Sequence, residues 1–426
     1  MKTRMLSLLA GAAVSLNAGA ALAQSADQSA AFERELRAAA ATRTSRQAGG
    51  TAGHDGRAFF VGSADGNYRL EVGGYTQFRY TLNFRDLDDS EDSTDEDFTN
   101  GFEHTRSALT FGGNVINPNT AFFIRGYFEN GDSESSGGSF VLRDAYGSYT
   151  WDSGLSVIWG QFIVPSTRER MVDERHQLAA DRSVTGTYFS PEYAQGVALS
   201  YKSENFRVVG AIDDGANTQN TAYAVSTDND VAATGRAEFK WSGDWAQFDD
   251  FTSWKGTEGY AGMVGAAFHW ETSGDTGTAT GGATTGNIGG DGDLIQYTAD
   301  VSVEGNGWNA FGAFVGRSTD VDGGAERDDF GAIVQGGFFF NDNFEMFARW
   351  DAIFPDDDTD EDDFHTITVG GNYYFVAGSH AAKFTADVQW NLDQEFSGLT
   401  VDGSETSVLP TTEDEFAVRR PMQLGF

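Results

Sequence analysis

The stretch LEVGGYTQFRYTL, residues 70–82, changes character at every residue. Leu70, Val72, Gly74, Thr76, Phe78, Tyr80 and Leu82 fall on one side, and Glu71, Gln77 and Arg79 on the other. A period of two marks a β-strand with one apolar face. The same phase returns in FEMFARWDA (344–352), where Phe344, Met346, Ala348, Trp350 and Ala352 oppose Glu345, Arg349 and Asp351. It returns again in KFTADVQW (383–390), with Phe384, Ala386, Val388 and Trp390 against Lys383, Thr385, Asp387 and Gln389.

Sixteen segments carry this pattern: 70–83, 102–115, 120–130, 140–151, 155–164, 193–202, 205–213, 231–241, 259–270, 293–304, 307–317, 328–340, 343–353, 364–376, 381–391 and 413–426. Most have the length of a tilted strand that crosses a bilayer, about 9–11 residues or somewhat more. The connections alternate. INPN, DSG, SEN, EGN, ND and AGSH are short, whereas 86–97, 271–292 and 355–363 are long. Short turns on one side and long loops on the other are the mark of an outer-membrane barrel. One connection breaks the alternation: SGDWAQFDDFTSWKGTE (242–258) stands where a short turn belongs. Aromatic residues cluster near strand ends, at Tyr149, Trp151, Tyr201, Trp241, Trp270, Tyr373 to Phe375 and Trp390, as interfacial girdles require.

The expected fold class is therefore all-β, a transmembrane antiparallel β-barrel of sixteen strands with short periplasmic turns and long extracellular loops. A soluble sandwich or propeller fits less well, given the strand length, the even count and the lack of a repeat period. The chain ends on VRRPMQLGF, with Phe416, Val418, Met422, Leu424 and Phe426 on one parity. This last strand is expected to pair with 70–83, because an open sheet edge has no place in hydrocarbon. Pro421 cannot donate to a ladder, so a bulge is expected near Arg420–Pro421.

The N-terminus resembles an export signal. Lys2 and Arg4 precede an apolar run, and Ala21-Leu22-Ala23 precedes Gln24, so cleavage is expected after Ala23. Residues 24–67 are expected to form a periplasmic segment with a short helix (Phe32, Leu36 and Ala40 at helical spacing), and 68–426 the barrel.

Composition excludes several classes. There is no Cys, hence no disulfide framework, thiolate metal site or Cys nucleophile. A net charge of −36 argues against a nucleic-acid partner. The six His lack metal-ligand spacing, and no Gly-rich phosphate loop is present. His104 and Ser107, three apart in one strand, are expected on opposite faces and so form no hydrolytic pair. Neither an enzyme, a cofactor nor a metal is expected.

A channel's chemistry is the charge and width along its bore. By the strand phase, the basic lumen-facing residues are Arg79, Arg106, Arg125, Arg143, Arg207, Arg236, Lys240, Arg349 and Lys383. The acidic ones are Glu71, Glu129, Glu238, Asp300, Glu345, Asp351 and Asp387. The chain as a whole has 28 Lys and Arg against 64 Asp and Glu, so the acid excess lies mainly in the loops. Residues 86–97 hold eight carboxylates and 355–363 seven, without the glycine spacing of an EF-hand loop.

Three stretches, GNYRLEVGGYTQFRY (66–80), FIVPSTRERMVDERHQLAADRS (162–183) and SPEYAQGVALSY (190–201), resemble the phosphate-selective porin O and P family. The resemblance covers 68–426. It implies a sixteen-stranded barrel in the outer-membrane lipid, a homotrimer, and passive diffusion of small hydrophilic solutes with an anion or phosphate preference. It implies that loop 165–192 folds inward as the pore constriction, carrying Arg168, Glu169, Arg170, Asp173, Glu174, Arg175, His176, Asp181 and Arg182. The terminal Phe426 resembles the signal read by the outer-membrane assembly machinery. The competing readings are a general or cation-preferring porin and a structural anchor or adhesin.

Overall fold

The computed structural model describes residues 51–54, 58–84, 98–129, 139–222, 230–256, 259–273, 292–359, 361–393, 399 and 415–426. The expected signal, the N-terminal helix and the acidic run 86–97 lie outside the described residues.

Two short strands come first, β1 (Thr51–His54) and β2 (Phe59–Gly62). The next eight are β3 (Arg69–Phe84), β4 (Phe98–Asn114), β5 (Thr120–Glu129), β6 (Ser139–Thr150), β7 (Leu155–Ile163), β8 (Tyr193–Lys202), β9 (Phe206–Asp213) and β10 (Val231–Ser242). The last eight are β11 (Ala261–Ser273), β12 (Gly292–Gly305), β13 (Trp308–Val321), β14 (Arg327–Phe339), β15 (Phe344–Phe354), β16 (Phe364–Tyr374), β17 (Ala382–Asn391) and β18 (Glu415–Gly425).

From β3 to β18 each strand pairs antiparallel with the next, and β18 returns to β3, from Phe416 opposite Phe84 to Gly425 opposite Tyr75. The result is a closed sixteen-stranded antiparallel barrel. Closure leaves no open sheet edge, whose backbone groups hydrocarbon would leave unpaired. β1 and β2 are an addition with no strong signal in the sequence. β2 pairs with Arg69–Val72 of β3, just beyond the point where β18 stops, and β1 pairs with β2.

Side chains sort by parity. Phe78, Phe128, Trp159, Phe268, Val334, Val388 and Leu424 are exposed on the outside, whereas Arg79, Gln335, Asp387 and Gln389 are buried inside.

Two local expectations fail. No register shift occurs at Arg420–Pro421: β18 runs in one register along β3. Toward β17 the ladder lapses opposite Arg420 and Pro421, then resumes in the same register. The missing donor interrupts the ladder without moving it, and Arg420 stays exposed on the outer face. Nor do His104 and Ser107 point to opposite faces. β4 bulges at Thr105, opposite the Gln77–Phe78 step. The extra residue resets the parity, so His104 Nε2 lies 2.7 Å from Ser107 Oγ, which donates to Thr76 Oγ1 at 2.8 Å. This group sits on the outer face, and its third member is a hydroxyl, not a carboxylate.

Candidate functional site

Residues 164–192 join β7 to β8 at the long-loop end of the barrel. Val164 N–H donates to Glu192 O at 2.9 Å and pinches the neck. Beyond the neck run a short helix α1 (Arg168–Met171), a 3-10 turn (Glu174–His176) and a second helix α2 (Val184–Tyr188). The turn forms because Asp173 accepts from Arg175 N–H at 3.0 Å. Helix α2 starts at Ser183, whose Oγ accepts from Gly186 N–H at 2.7 Å.

Apolar residues lay the segment on one wall. Val172, Leu178 and Ala179 pack with Phe311 of β13, Ile333 of β14 and Phe347 of β15. Val184, Tyr188 and Phe189 pack with Val315, Ile353 and Phe364 of β13, β15 and β16. Gly331 of β14 permits this approach, since a Cβ there would stand 2.5 Å from the Phe189 ring.

Charges reach the other wall. Asp181 accepts from Arg79 of β3 and Arg106 of β4 at 2.6 Å each, and lies 3.5 Å from Arg419 of β18. Asp173 is 3.2 Å from Arg125 of β5. Glu174 accepts from the hydroxyls of Tyr75 and Tyr127. The segment therefore crosses the inside of the barrel from β13–β16 to β3–β5.

All nine predicted residues of this segment are brought together there. All are buried except Arg175, which is half-buried. Arg168 Nε donates to Ser302 Oγ of β12 at 2.8 Å. Glu169 accepts from Ser183 N–H and Oγ at 2.9 and 2.5 Å, and lies 3.5 Å from Arg349. Arg170 pairs with Glu192, and Arg182 donates to Val172 O at 2.9 Å. Arg175 pairs with Asp173 at 2.9 Å and its guanidinium lies over Tyr75. The His176 ring stands 4.3 Å from that of His380. Burial pushes the Asp173 carboxyl up, but Arg175 and Arg125 outweigh it and hold it well below the usual carboxylate range. Burial raises Glu174 too, and Arg125, Arg182 and Arg106 pull it below that range.

The lumen-facing basic residues are inside, and most are ion-paired. Arg207 meets Glu238 at 2.6 Å; Arg236 meets Glu238 at 3.0 Å and Asp300 at 2.8 Å; Arg125 meets Asp144 at 2.7 Å. Arg349 donates to Asp181 O at 3.0 Å. Arg143 is the extra residue of a bulge, with its guanidinium over the Tyr127 and Tyr193 rings. The two lysines are held by carbonyl oxygens: Lys240 by Gly243 O, Lys383 by Arg175 O and Gln177 O. Arg317, Arg419 and Tyr75 belong to the site and are absent from the sequence-derived set. Strand parity alone would have found Arg419 and Tyr75, each opposite the apolar phase of its strand, whereas in β13 Phe311 and Val315 share the parity of Arg317 and mask it.

No family model and no curated protein matches the sequence. Solved structures do. The outer membrane protein OmpT of Vibrio cholerae, in its trimer form, superposes with a TM-score of 0.56 at 15% identity, over 84% of this chain and 99% of that one. An anion-selective porin from Comamonas acidovorans gives 0.57 at 13% identity, over 84% and 99%. OprB of Pseudomonas putida gives 0.51 at 11%, over 84% and 94%. At these identities the likeness is one of fold, and the fold is that of porins.

Proposed function

We propose that this chain is an outer-membrane porin, exported with cleavage after Ala23, that passes small hydrophilic solutes by diffusion. The observation that carries this reading is segment 164–192. It crosses the lumen as a bridge of charged and hydrogen-bonding groups, and these are what hydrated solutes meet in a constriction. An anchor or adhesin needs no such inward segment.

The charges inside favour weak selectivity over a strong anion path. Six of the nine basic lumen residues, Arg79, Arg106, Arg125, Arg207, Arg236 and Arg349, stand within ion-pair distance of a carboxylate, so they brace the wall as much as they attract anions. An anion or phosphate preference, as in the phosphate-selective porin O and P family, is the second reading. Lys240 and Lys383 favour it, because carbonyl oxygens hold their ammonium groups without cancelling the charge.

A homotrimer is part of the proposal. Most of the outer face carries apolar side chains. Polar residues interrupt it at two places: Arg420 on β18, opposite Tyr80 of β3, and the Thr76, His104 and Ser107 group on β3 and β4. An Arg facing lipid near mid-bilayer costs about 2–4 kcal/mol. Contact with a second copy relieves that cost.

Reversal potentials across a salt gradient test the reading. We expect measurable conductance with modest selectivity. Absence of conductance from a folded barrel supports the anchor instead.

A further inference from the structure

The connection 243–260 joins β10 to β11 at the short-turn end, yet it does not stay outside. A 3-10 turn (Trp245–Asp249) opens it, steadied by the Gln247 side chain, which accepts from Asp244 N–H at 2.9 Å. Trp245 is buried with Phe248, Ala261 and Met263, donates from its indole to Ser203 O at 3.0 Å, and lies under the Arg207 guanidinium. This hooks one end of the connection to the β8–β9 turn.

The middle enters the lumen. Phe248 O accepts from Arg168 Nη2 at 2.8 Å, and Phe251 N–H donates to His176 O at 3.3 Å. Both partners belong to segment 164–192. The Phe251 ring joins the cluster of Val172, Leu178, Phe311, Ile333 and Phe347.

The far end reaches the opposite side of the mouth. Trp254 packs with Phe339 of β14 and Tyr374 of β16, and against His380 in the β16–β17 turn. Asp250 meets His380 at 3.0 Å, and Ser253 donates to Gly305 O.

From these contacts we propose that 243–260 is a second constriction, entering from the periplasmic side and seated against the first. It makes the bore narrower and longer than one inward segment would. It is a fixed wall rather than a gate: four aromatic side chains are buried along it, and both ends are hooked to the rim. The proposal rests on the channel reading above.

The test is single-channel conductance, together with liposome swelling by uncharged sugars of increasing size. The variants are a replacement of Asp244–Gly259 by a short Gly-containing turn, and the pair Phe251→Ser with Trp254→Ser in the full chain. Heat-modifiable migration confirms folding. The expected result is a conductance about threefold or more above the parent and a larger size limit, because conductance follows the narrowest section. If the turn replacement does not fold, the serine pair decides by the same readout. Parent-like conductance and size limit in a folded variant overturn the second constriction and leave the channel reading standing. If neither parent nor variant conducts although both fold, the channel reading falls and takes the second constriction with it.

Discussion

Asp181 on the inward segment and Arg79 on the first barrel strand meet at 2.6 Å, Oδ2 to Nη1, across 102 residues of chain. Arg106 shares the same carboxylate, and Arg419 stands 3.5 Å away. One acid thus holds the segment to three basic groups at the place where the barrel closes.

Asp181→Ala leaves three buried guanidinium groups sharing fewer counter-charges. Removing one partner of a buried pair costs about 3–5 kcal/mol. We expect a lower temperature for loss of the heat-modifiable form and a shift of reversal potential towards anions. An unchanged potential would show that this end of the segment lies away from the conducting path.

Reversing Arg168, Arg170, Arg175 and Arg182 together to Glu would place new carboxylates beside Glu192 and Glu174 in buried surroundings. Loss of the folded barrel is the expected outcome, so that combination reports on assembly rather than selectivity. Arg175→Gln is the better probe, because Arg175 is half-buried. We expect it to fold and to move permeability modestly towards cations, read again as a reversal potential.

Phe426 closes the ring through paired backbone bonds of 2.9 Å with Gly74. A Cβ on Gly74 would stand 2.9 Å from the Phe426 ring and 2.4 Å from Ala108 O. Deleting Phe426 and substituting Gly74→Val are both expected to lower the yield of folded barrel in outer-membrane fractions. Normal yield from Gly74→Val would show that the ring finds another seat.

Burial raises Asp249 to about 7, against the pull of Arg207 and Lys202, with Asp250 and Arg168 also facing it. Burial likewise raises Asp250 to about 7, against the Thr252 N–H, Arg168 and Lys383. His380, its partner, is pushed well below the usual imidazole range by burial, Lys383 and Arg175. His176 is pushed down too, by burial, His380 and Arg175. Both carboxyls are thus neutral below about pH 7 and charged above it, while the imidazoles stay neutral and do not compensate. Cation preference is expected to rise between about pH 6 and pH 8. Asp249→Asn with Asp250→Asn should flatten that rise; a rise that persists in the double variant assigns it to other groups.

The sixteen strands and their two faces were legible in the chain alone. Hydrocarbon outside and charge inside impose opposite demands on successive residues, so Val388 and Asp387 announce their sides without any knowledge of their partners. Parity also put Arg79, Arg125 and Arg236 on the face opposite the apolar one, and all three are buried. It failed where one residue shifts the phase, as Thr105 does beside His104. Pro421 failed as a signal for the opposite reason: its missing donor was absorbed without a bulge.

What the tertiary structure alone decided is which charges meet and which connections turn inward. Asp181 and Arg79 pair because barrel closure brings β3 under the segment between β7 and β8, and no local pattern encodes that distance. The connection 243–260 looks polar and out of place in the sequence. Its Phe251 acquires meaning only when Phe311, Ile333 and Phe347 line up on three adjacent strands to receive it. Strand faces follow from a solvent that acts on every residue separately, whereas the lumen's contents follow from contacts that exist only once the ring is closed.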